Sequence, residues 1–520
     1  MNLNNKQKLA VDKIHQFVEQ NRDQYFYLFG YAGTGKTFLT NIIINELIDK
    51  NFLNNIYICA STHTALNNLE SYIQIKDSPE KPKKTKTTFM TIHKLLEFRP
   101  FISNENGDQI FKSTTSQSKY LKKSNKKLII IDECSMLSKN IVDEIEKYKK
   151  LCPHIKIIFI GDEAQLPPVK EHTSIVFKNI AIDYQFHIVL DEIMRTKSED
   201  IKQVSTIVRS LNECNKLGEL LLGIHNKSSP EMMSKTSSSG LAQRDTSFRF
   251  YRKGSNHVNS KWFKKCIKKF QNNQSTIILT WKNSTADLYN KLIRQNIHHI
   301  TNEQYQNKFM VGDYAMFTKY YKGGIVAVDD SDKPLDAYFY TANMVRITSI
   351  ATKYRLLYDW NELIVNEPKT NTDNAYNTLI KKIMKFQNKF IVNIFEATKI
   401  VDNIIDTNIY VIRTIDRDDL IEYNKMLKNI EEHLKHFYSV YKSDEHSDKL
   451  WEAFYYKLKN QYAELSFGYS ITTHKAQGST FGSVMVDVAD ICENPDVEEY
   501  IKALYTATTR ASNELGFIVN

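Results

Sequence analysis

The stretch Tyr25-Phe26-Tyr27-Leu28-Phe29-Gly30-Tyr31-Ala32-Gly33-Thr34-Gly35-Lys36-Thr37 decides the fold class. Its first residues form an apolar run suited to a buried strand, and Gly30 to Thr37 have the spacing GxxxxGKT. From Phe38 to Lys50, apolar residues recur at helical intervals. Strand, glycine-rich turn and helix N-terminus make a phosphate cradle, because backbone N–H groups and the helix dipole face the same point. Gly33, Thr34 and Gly35 belong to that turn. Lys36 is placed to reach the terminal phosphates, and the Thr37 hydroxyl to bind Mg²⁺. The expected ligand is a nucleoside triphosphate, ATP.

Outward from this point the pattern repeats. Ile56–Ala60, Leu128–Ile131 and Ile155–Ile160 read as strands, and polar residues follow each at once: Ser61 to Thr64, Asp132-Glu133 and Gly161 to Gln165. Strands alternating with helices imply a parallel α/β sheet whose ligands gather at the strand C-terminal ends. An acidic pair there has a specific use. Asp132 is placed to hold Mg²⁺ and Glu133 to activate the attacking water, which favours hydrolysis over binding alone. Gln165, an amide at the next strand end, can sense the γ-phosphate and polarise the water. Arg195 and Arg510 are candidates to approach the γ-phosphate from a second domain. Arg510 stands in Leu504-Tyr505-Thr506-Ala507-Thr508-Thr509-Arg510-Ala511, near the end of a helix-like segment.

At 520 residues the chain should divide into two to four domains. Residues 1–193 read as the first α/β unit. A hairpin interrupts it at about 97–127, where Phe101-Ile102 and Ile110-Phe111 flank the turn Asn106-Gly107. Residues 194–307 and 463–520 read as a second unit, with strands at Thr276–Trp281, Ser483–Val488 and Leu515–Val519. Asn226 to Ser239 reads as an exposed loop. Between the halves, 308–462 is an insertion. It begins with short strands (Met310–Lys319, Gly323–Val328, Ala337–Ile350) that suggest a small barrel, and it ends in a helical part, Asp418–Tyr462.

Composition narrows the class further. Apolar residues make up 42% and aromatics 12%, enough for globular packing, and the formal net charge of +10 suits a polyanionic partner. The six cysteines are scattered without CxxC pairs, so reduced thiols are expected and no zinc site. No signal peptide and no apolar run of spanning length is present, which points to a cytoplasmic protein without a membrane partner. The basic clusters Lys81 to Lys86, Lys122 to Lys127 and Lys264 to Lys269 are either solvated faces or parts of a nucleic-acid path.

Taken in order, the motifs resemble those of superfamily 1 helicases of the 1B branch, the group of RecD and the petite-integration-frequency helicases, with the nearest likeness to the Dda helicase of T-even phages. Leu3-Asn4-Asn5-Lys6-Gln7 resembles the N-terminal glutamine motif and GYAGTGKT motif I. Ser61-Thr62-His63-Thr64-Ala65 resembles motif Ia, and Thr91-Ile92-His93 the next strand-contacting motif. DECSM at Asp132 to Met136 resembles motif II, and GDEAQLPPV at Gly161 to Val169 motif III. Leu190 to Arg195 resembles motif IV, Thr472 to Thr480 motif V and Tyr505 to Ala511 motif VI.

The resemblance implies an α/β fold of two RecA-like P-loop motor domains, with ATP between them and single-stranded DNA across both. It also implies an inserted β-hairpin pin and an inserted SH3-like barrel plus helical tower. Gln7 would read adenine. Thr62, His63, His93, His474 and Lys475 would touch the strand through its phosphates, without reading sequence. Phe111 is the candidate to split the first base pair, with Phe101 as the alternative. Trp281 and Asn283 fall in a segment resembling the strand-contacting part of the second motor, where Trp281 either stacks on a base or fills the core. Thr341-Ala342-Asn343-Met344 departs from the Asn-Gly the family usually carries near the later barrel strand.

The implied activity is ATP-dependent translocation 5′ to 3′ on single-stranded DNA with unwinding of forked duplexes, in replication, repair or recombination. A monomer is expected, with single-strand-binding or replisome proteins as partners. Three alternatives stand beside it: a helicase subunit of a recombination or repair nuclease, an RNA-directed helicase, since no 2′-hydroxyl reader is recognisable, and a non-unwinding nucleic-acid-binding scaffold.

Overall fold

Six parallel strands form the sheet that contains the quoted stretch. With strands numbered along the chain, β1 (Tyr25–Gly30), β2 (Asn55–Ala60), β3 (Lys86–Thr91), β6 (Lys127–Asp132), β7 (Ile155–Gly161) and β8 (His187–Leu190) stand in the order β3-β2-β6-β7-β1-β8. Every pair in it is parallel. Helices cover such a sheet on both faces, so its four inner strands β2, β6, β7 and β1 are largely apolar rather than alternating. Leu39, Ile44 and Leu47 of the helix Lys36–Lys50, with Ile14 and Phe17 of the helix Asn5–Glu19, are completely buried in the core beside Phe26 and Leu28 of β1. Burying each such side chain contributes about 1.5–3 kcal/mol.

A second parallel sheet is built from distant parts of the chain. Its strands are β9 (Phe248–Arg252), β10 (Thr276–Thr280), β18 (Ser470–Thr472), β19 (Phe481–Asp487) and β20 (Ala511–Val519), in the order β18-β10-β19-β20-β9. Both sheets belong to one compact unit, Met1–Glu97, Thr115–Ile293 and Tyr469–Asn520. The structure, a computed structural model, describes residues 3–520 except 21–23, 51–52, 76–84, 103–108, 114–117, 119, 122–125, 153, 169–170, 180–185, 212–246, 255–256, 301–306, 326–334, 402–403 and 443. The loop expected at Asn226 to Ser239 therefore lies outside the described residues.

The other unit comprises Phe98–Thr114 and Arg294–Gly468. It holds the antiparallel hairpin β4 (Phe98–Ile102) and β5 (Gln109–Ser113), whose turn lies outside the described residues. It also holds a seven-stranded sheet made of β11 (Tyr314–Phe317), β12 (Tyr321–Ile325), β13 (Leu335–Phe339), β14 (Met344–Leu356), β15 (Lys389–Val401), β16 (Ile404–Ile415) and β17 (Leu465–Phe467), in the order β13-β12-β16-β15-β14-β11-β17. Two features differ from the sequence reading. The expected strand Ala337–Ile350 is two strands, broken at a turn where Ala342 has φ +69°. The long strands β15 and β16 were not anticipated, and β14 pairs with β15 from Met344↔Ile400 to Leu356↔Lys389. Register shifts between Ile347 and Ser349 and between Thr398 and Ile400 reset the inside–outside alternation that would reveal such strands.

The core of this sheet is Phe317, Tyr321, Phe339, Val345, Phe395 and Ile412. A separate cluster around Trp360, Tyr376, Ile430, Trp451 and Phe454 unites the helices Asn371–Phe386, Leu420–Tyr441 and Asp444–Glu452, the last of which runs on into a π-wound turn, Ala453–Lys459. In the same unit, Arg294 is 1% and Asp313 0% exposed, and Arg294 Nε donates to both carboxylate oxygens at 3.0 and 3.1 Å. No helix among the described residues is long and apolar enough to cross a membrane.

Candidate nucleotide and strand-binding site

The turn after β1 takes its shape from two glycines. Gly33 and Gly35 both have φ +82°, in the left-handed region that side chains resist. A Cβ on Gly33 would lie 2.7 Å from Arg195 Cβ, and one on Gly35 3.1 Å from Gln7 Nε2. Gln7 thus lies against the turn, donating to the Thr34 carbonyl at 3.2 Å. It is fixed there by a reciprocal cap with Asn4, whose side chain accepts from Gln7 N at 2.7 Å while Asn4 N donates to Gln7 Oε1 at 3.1 Å. Lys36 curls over the turn and donates to the carbonyls of Gly30 and Tyr31 at 2.8 and 3.0 Å. Burial lowers its pKa, and the charges of Asp162, Glu133 and Asp132 oppose that shift.

Those three acids come from the C-terminal ends of β6 and β7. Asp132 is buried, and burial together with the neighbouring Glu133 pushes its carboxyl up to about 7, although Glu133 N donates to it at 2.9 Å. Glu133 itself has φ +50°, a left-handed conformation for a residue with a Cβ. A buried carboxyl raised in this way suits a divalent cation. Among the described residues no cluster of three His, Cys, Asp or Glu could hold a metal alone. A cation held by Asp132 and Thr37 would therefore take its remaining ligands from phosphate and water, as Mg²⁺ commonly does.

Next in the chain, Gln165 is 3% exposed, and its Oε1 has no hydrogen-bond partner among the described residues. Its neighbour Leu166 joins the two sheets: Leu166 N donates to Thr506 Oγ1 at 3.3 Å, and Gln477 Nε2 donates to Leu166 O at 3.4 Å. Arg510 is 1% exposed and donates to the Thr506 and Ser479 carbonyls and the Thr509 hydroxyl, all neutral acceptors. Burial, reinforced by Arg195, lowers its pKa to about 10. Arg195 differs from expectation in its anchorage. Its backbone N–H donates to Gly33 O at 2.9 Å, so it is held on the phosphate turn, and its guanidinium reaches across to Thr509 O at 2.9 Å.

The strand-contact candidates divide. Trp281, Asn283 and Lys475 come together: Lys475 Nζ donates to Asn283 Oδ1 at 3.2 Å, and Trp281 is half-buried rather than part of the core. Asp490 holds this corner by accepting from the Trp281 and Lys282 amides at 2.7 and 2.9 Å. Thr62 caps the helix His63–Tyr72 through Ala65 N, and Asn68 of that helix donates to Gly478 O at 2.8 Å. His474 lies 3.4 Å from Glu499, and burial lowers its pKa despite that carboxylate. Burial lowers the pKa of His93 as well.

The side chains of His63, Phe101 and Phe111 lie outside the described residues; the backbone pairs Phe111 with Pro100 and Phe101 with Ile110. Of the basic clusters, residues 81–84 and 122–125 are likewise outside. Lys265 and Lys269 both pair with Glu514, which makes that cluster part of the fold's own charge balance. Asp162, Arg209 and Tyr505 also meet at this site, and the sequence reading gave none of them a role.

Residues 2–219 match the family model described as an AAA domain, and residues 467–518 match the UvrD-like helicase C-terminal domain. The chain is a superfamily 1B helicase. An Acanthamoeba polyphaga mimivirus relative, Uncharacterized protein R530, is 44% identical over 520 residues, 99% of each chain. The ATP-dependent DNA helicase RRM3 of Saccharomyces cerevisiae is 29% identical over 180 residues, 32% of this chain and 22% of that protein. Among solved structures, the Pif1 helicase of Candida albicans aligns with a TM-score of 0.47 at 16% identity, covering 100% of this chain and 95% of its own. A Bacteroides Pif1 helicase in complex with ADP-AlF3 and ssDNA aligns with a TM-score of 0.44 at 16% identity, covering 99% and 92%. As a helicase of this branch, the chain is an ATP-dependent enzyme.

Proposed function

We propose that this ATP-dependent DNA helicase binds single-stranded DNA, moves along it 5′ to 3′ and opens forked duplexes. The observation that carries the reading is the segment His474–Thr480. At one end Lys475 holds Asn283 beside Trp281; at the other Gln477 bonds Leu166 and Gly478 bonds Asn68. One short segment thus links a strand-facing corner to the loop that follows β7, so movement in either reaches the other.

In the proposed cycle, Gln7 holds the adenine edge and the amides of Gly33, Thr34 and Gly35 cradle the phosphates. Thr37 and Asp132 fit Mg²⁺, which would neutralise phosphate charge. Glu133 takes the proton of the attacking water, and Gln165 orients that water with its free Oε1. Lys36 and Arg195 bind phosphate charge from the side of the turn. Arg510, whose acceptors are all neutral, gains an anionic partner when the γ-phosphate is present, which draws the two sheets together. His63, His93, His474, Lys475 and Thr62 contact strand phosphates, and Trp281 stacks on a base.

The test is unwinding of matched duplexes carrying a 5′ or a 3′ single-stranded tail. Opening of the 5′-tailed substrate alone is expected, and opening of the 3′-tailed one alone overturns the direction. Lys36→Ala should cut ATP turnover by about a hundredfold or more, as loss of charge stabilisation in phosphoryl transfer does, while leaving the circular dichroism spectrum unchanged. DNA-stimulated turnover retained in that variant would sink the site assignment.

A further inference from the structure

The hydroxyl of Tyr505 is where three separate elements meet. It donates to Asp162 Oδ2 at 2.8 Å and accepts from Ala32 N at 3.0 Å and from Arg209 Nη1 at 3.2 Å. A phenol has one proton to donate and two lone pairs, so every bond this oxygen can make is made. The oxygen and two of its partners are buried: Tyr505 is 1%, Asp162 0% and Ala32 4% exposed, while Arg209 is partly exposed. Burial and then the Asp162 charge raise the phenol's pKa, which keeps its proton in place for Asp162. Arg209, the last residue of the helix Glu199–Arg209, also pairs with Asp162 Oδ1. Its guanidinium lies 4.1 Å from the Tyr31 ring centroid and 5.3 Å from that of Tyr505.

What these residues adjoin gives the cluster its meaning. Tyr31 and Ala32 are in the phosphate turn, and Ala32 N–H is one of that turn's own amides. Asp162 O accepts from Gln165 N at 3.1 Å, so Asp162 shapes the loop that carries Gln165. Tyr505 lies in the helix Val497–Thr508, and its carbonyl accepts from Thr509 N at 3.1 Å, immediately before Arg510.

We propose that Tyr505 and Arg209 are positioning residues for ATP hydrolysis, which hold the phosphate turn, the Gln165 loop and the Arg510 segment in one register through a single shared oxygen. The proposal rests on the ATPase reading above. Neither residue touches the reacting atoms. Movement of the helix Val497–Thr508 on strand binding is passed through Tyr505 to Ala32 and Asp162 together, so the two ends of the site cannot be set independently.

Tyr505→Phe keeps the ring and removes the oxygen, leaving Ala32 N–H without its acceptor and Asp162 with one donor fewer. The DNA-stimulated kcat should fall by about ten- to a hundredfold, the loss expected when bonds to a buried charged group are removed. The ratio of stimulated to basal turnover should collapse while KM for ATP stays near wild type, and the melting temperature should fall by no more than the few degrees that an unpaired buried donor costs. Arg209→Gln should lower the same ratio, and Arg209→Lys, which keeps the charge beside Asp162, should recover part of it. A purely structural role would instead lower basal and stimulated rates by the same factor. That result, or an unchanged stimulation ratio in Tyr505→Phe, overturns the proposal. Should Tyr505→Phe fail to fold, the ratio in Arg209→Gln decides in its place. Absence of DNA-stimulated hydrolysis in the wild type would overturn the ATPase reading itself.

Discussion

Gly33 shows how much one missing side chain sets. Its φ of +82° and the 2.7 Å that would separate a Cβ from Arg195 Cβ leave no room for alanine. Left-handed backbone costs an ordinary residue about 1–2 kcal/mol, and the clash would also push Arg195 off its bond to Thr509. Gly33→Ala is therefore expected to weaken ATP binding by about tenfold or more, the equivalent of 1.4 kcal/mol, as read by titration with a fluorescent nucleotide. An affinity within twofold of wild type would show that the turn adapts. Gly33 was legible in the sequence because the phosphate motif fixes its neighbours at a set spacing. Tyr505 was not: its partner Ala32 is 473 residues away, and a tyrosine in an apolar helical segment reads as core. Arg209 was hidden for the same reason, since no local pattern marks an arginine whose acid lies 47 residues back.

At the scale of elements, the buried pair of Arg294 and Asp313 fixes β11 and its approach. Burial alone would raise the Asp313 carboxyl, but hydrogen bonds from His298 and Arg294 and the Arg294 charge bring it below its ordinary value. The sign follows from linkage. A depressed carboxyl contributes stability above its unfolded pKa, near 4, and loses that contribution as pH falls through the lower folded value. Asp313→Asn should cost about 3–5 kcal/mol at neutral pH, because it leaves the Arg294 charge buried and unpaired. Thermal melts should show the gap between wild type and variant holding down to about pH 4 and narrowing only as pH falls further through the lower folded value, where the wild-type carboxyl also becomes neutral. A gap independent of pH would mean the carboxylate charge contributes nothing. In the first sheet the inner strands β1, β2, β6 and β7 were readable because each is a near-continuous apolar run; the edge strands β3 and β8, which carry polar or exposed positions, were not singled out. β15 and β16 were not, since their bulges interrupt the two-residue period and the helix Asn371–Phe386 separates β15 from its partner β14.

For the whole molecule, the relevant quantity is charge. A net +10 and the proposed contacts with strand phosphates predict strongly salt-dependent binding with little sequence preference. The DNA concentration giving half-maximal ATPase stimulation should rise by about tenfold or more between about 50 and 200 mM salt, equally for strands of different sequence. A salt-independent value would mean that stacking rather than phosphate contact holds the strand. The order β18-β10-β19-β20-β9 also bears on how the molecule is made. Among the described residues β9 pairs with β20 alone, Phe248 standing opposite Leu515, so it waits for the end of the chain before it has that neighbour. On the ribosome, the first sheet can close once β8 has emerged, while its counterpart stays open through hundreds of further residues. The nascent chain therefore carries a finished half-motor beside unpaired strand edges, and it is during synthesis that this protein is most exposed to aggregation.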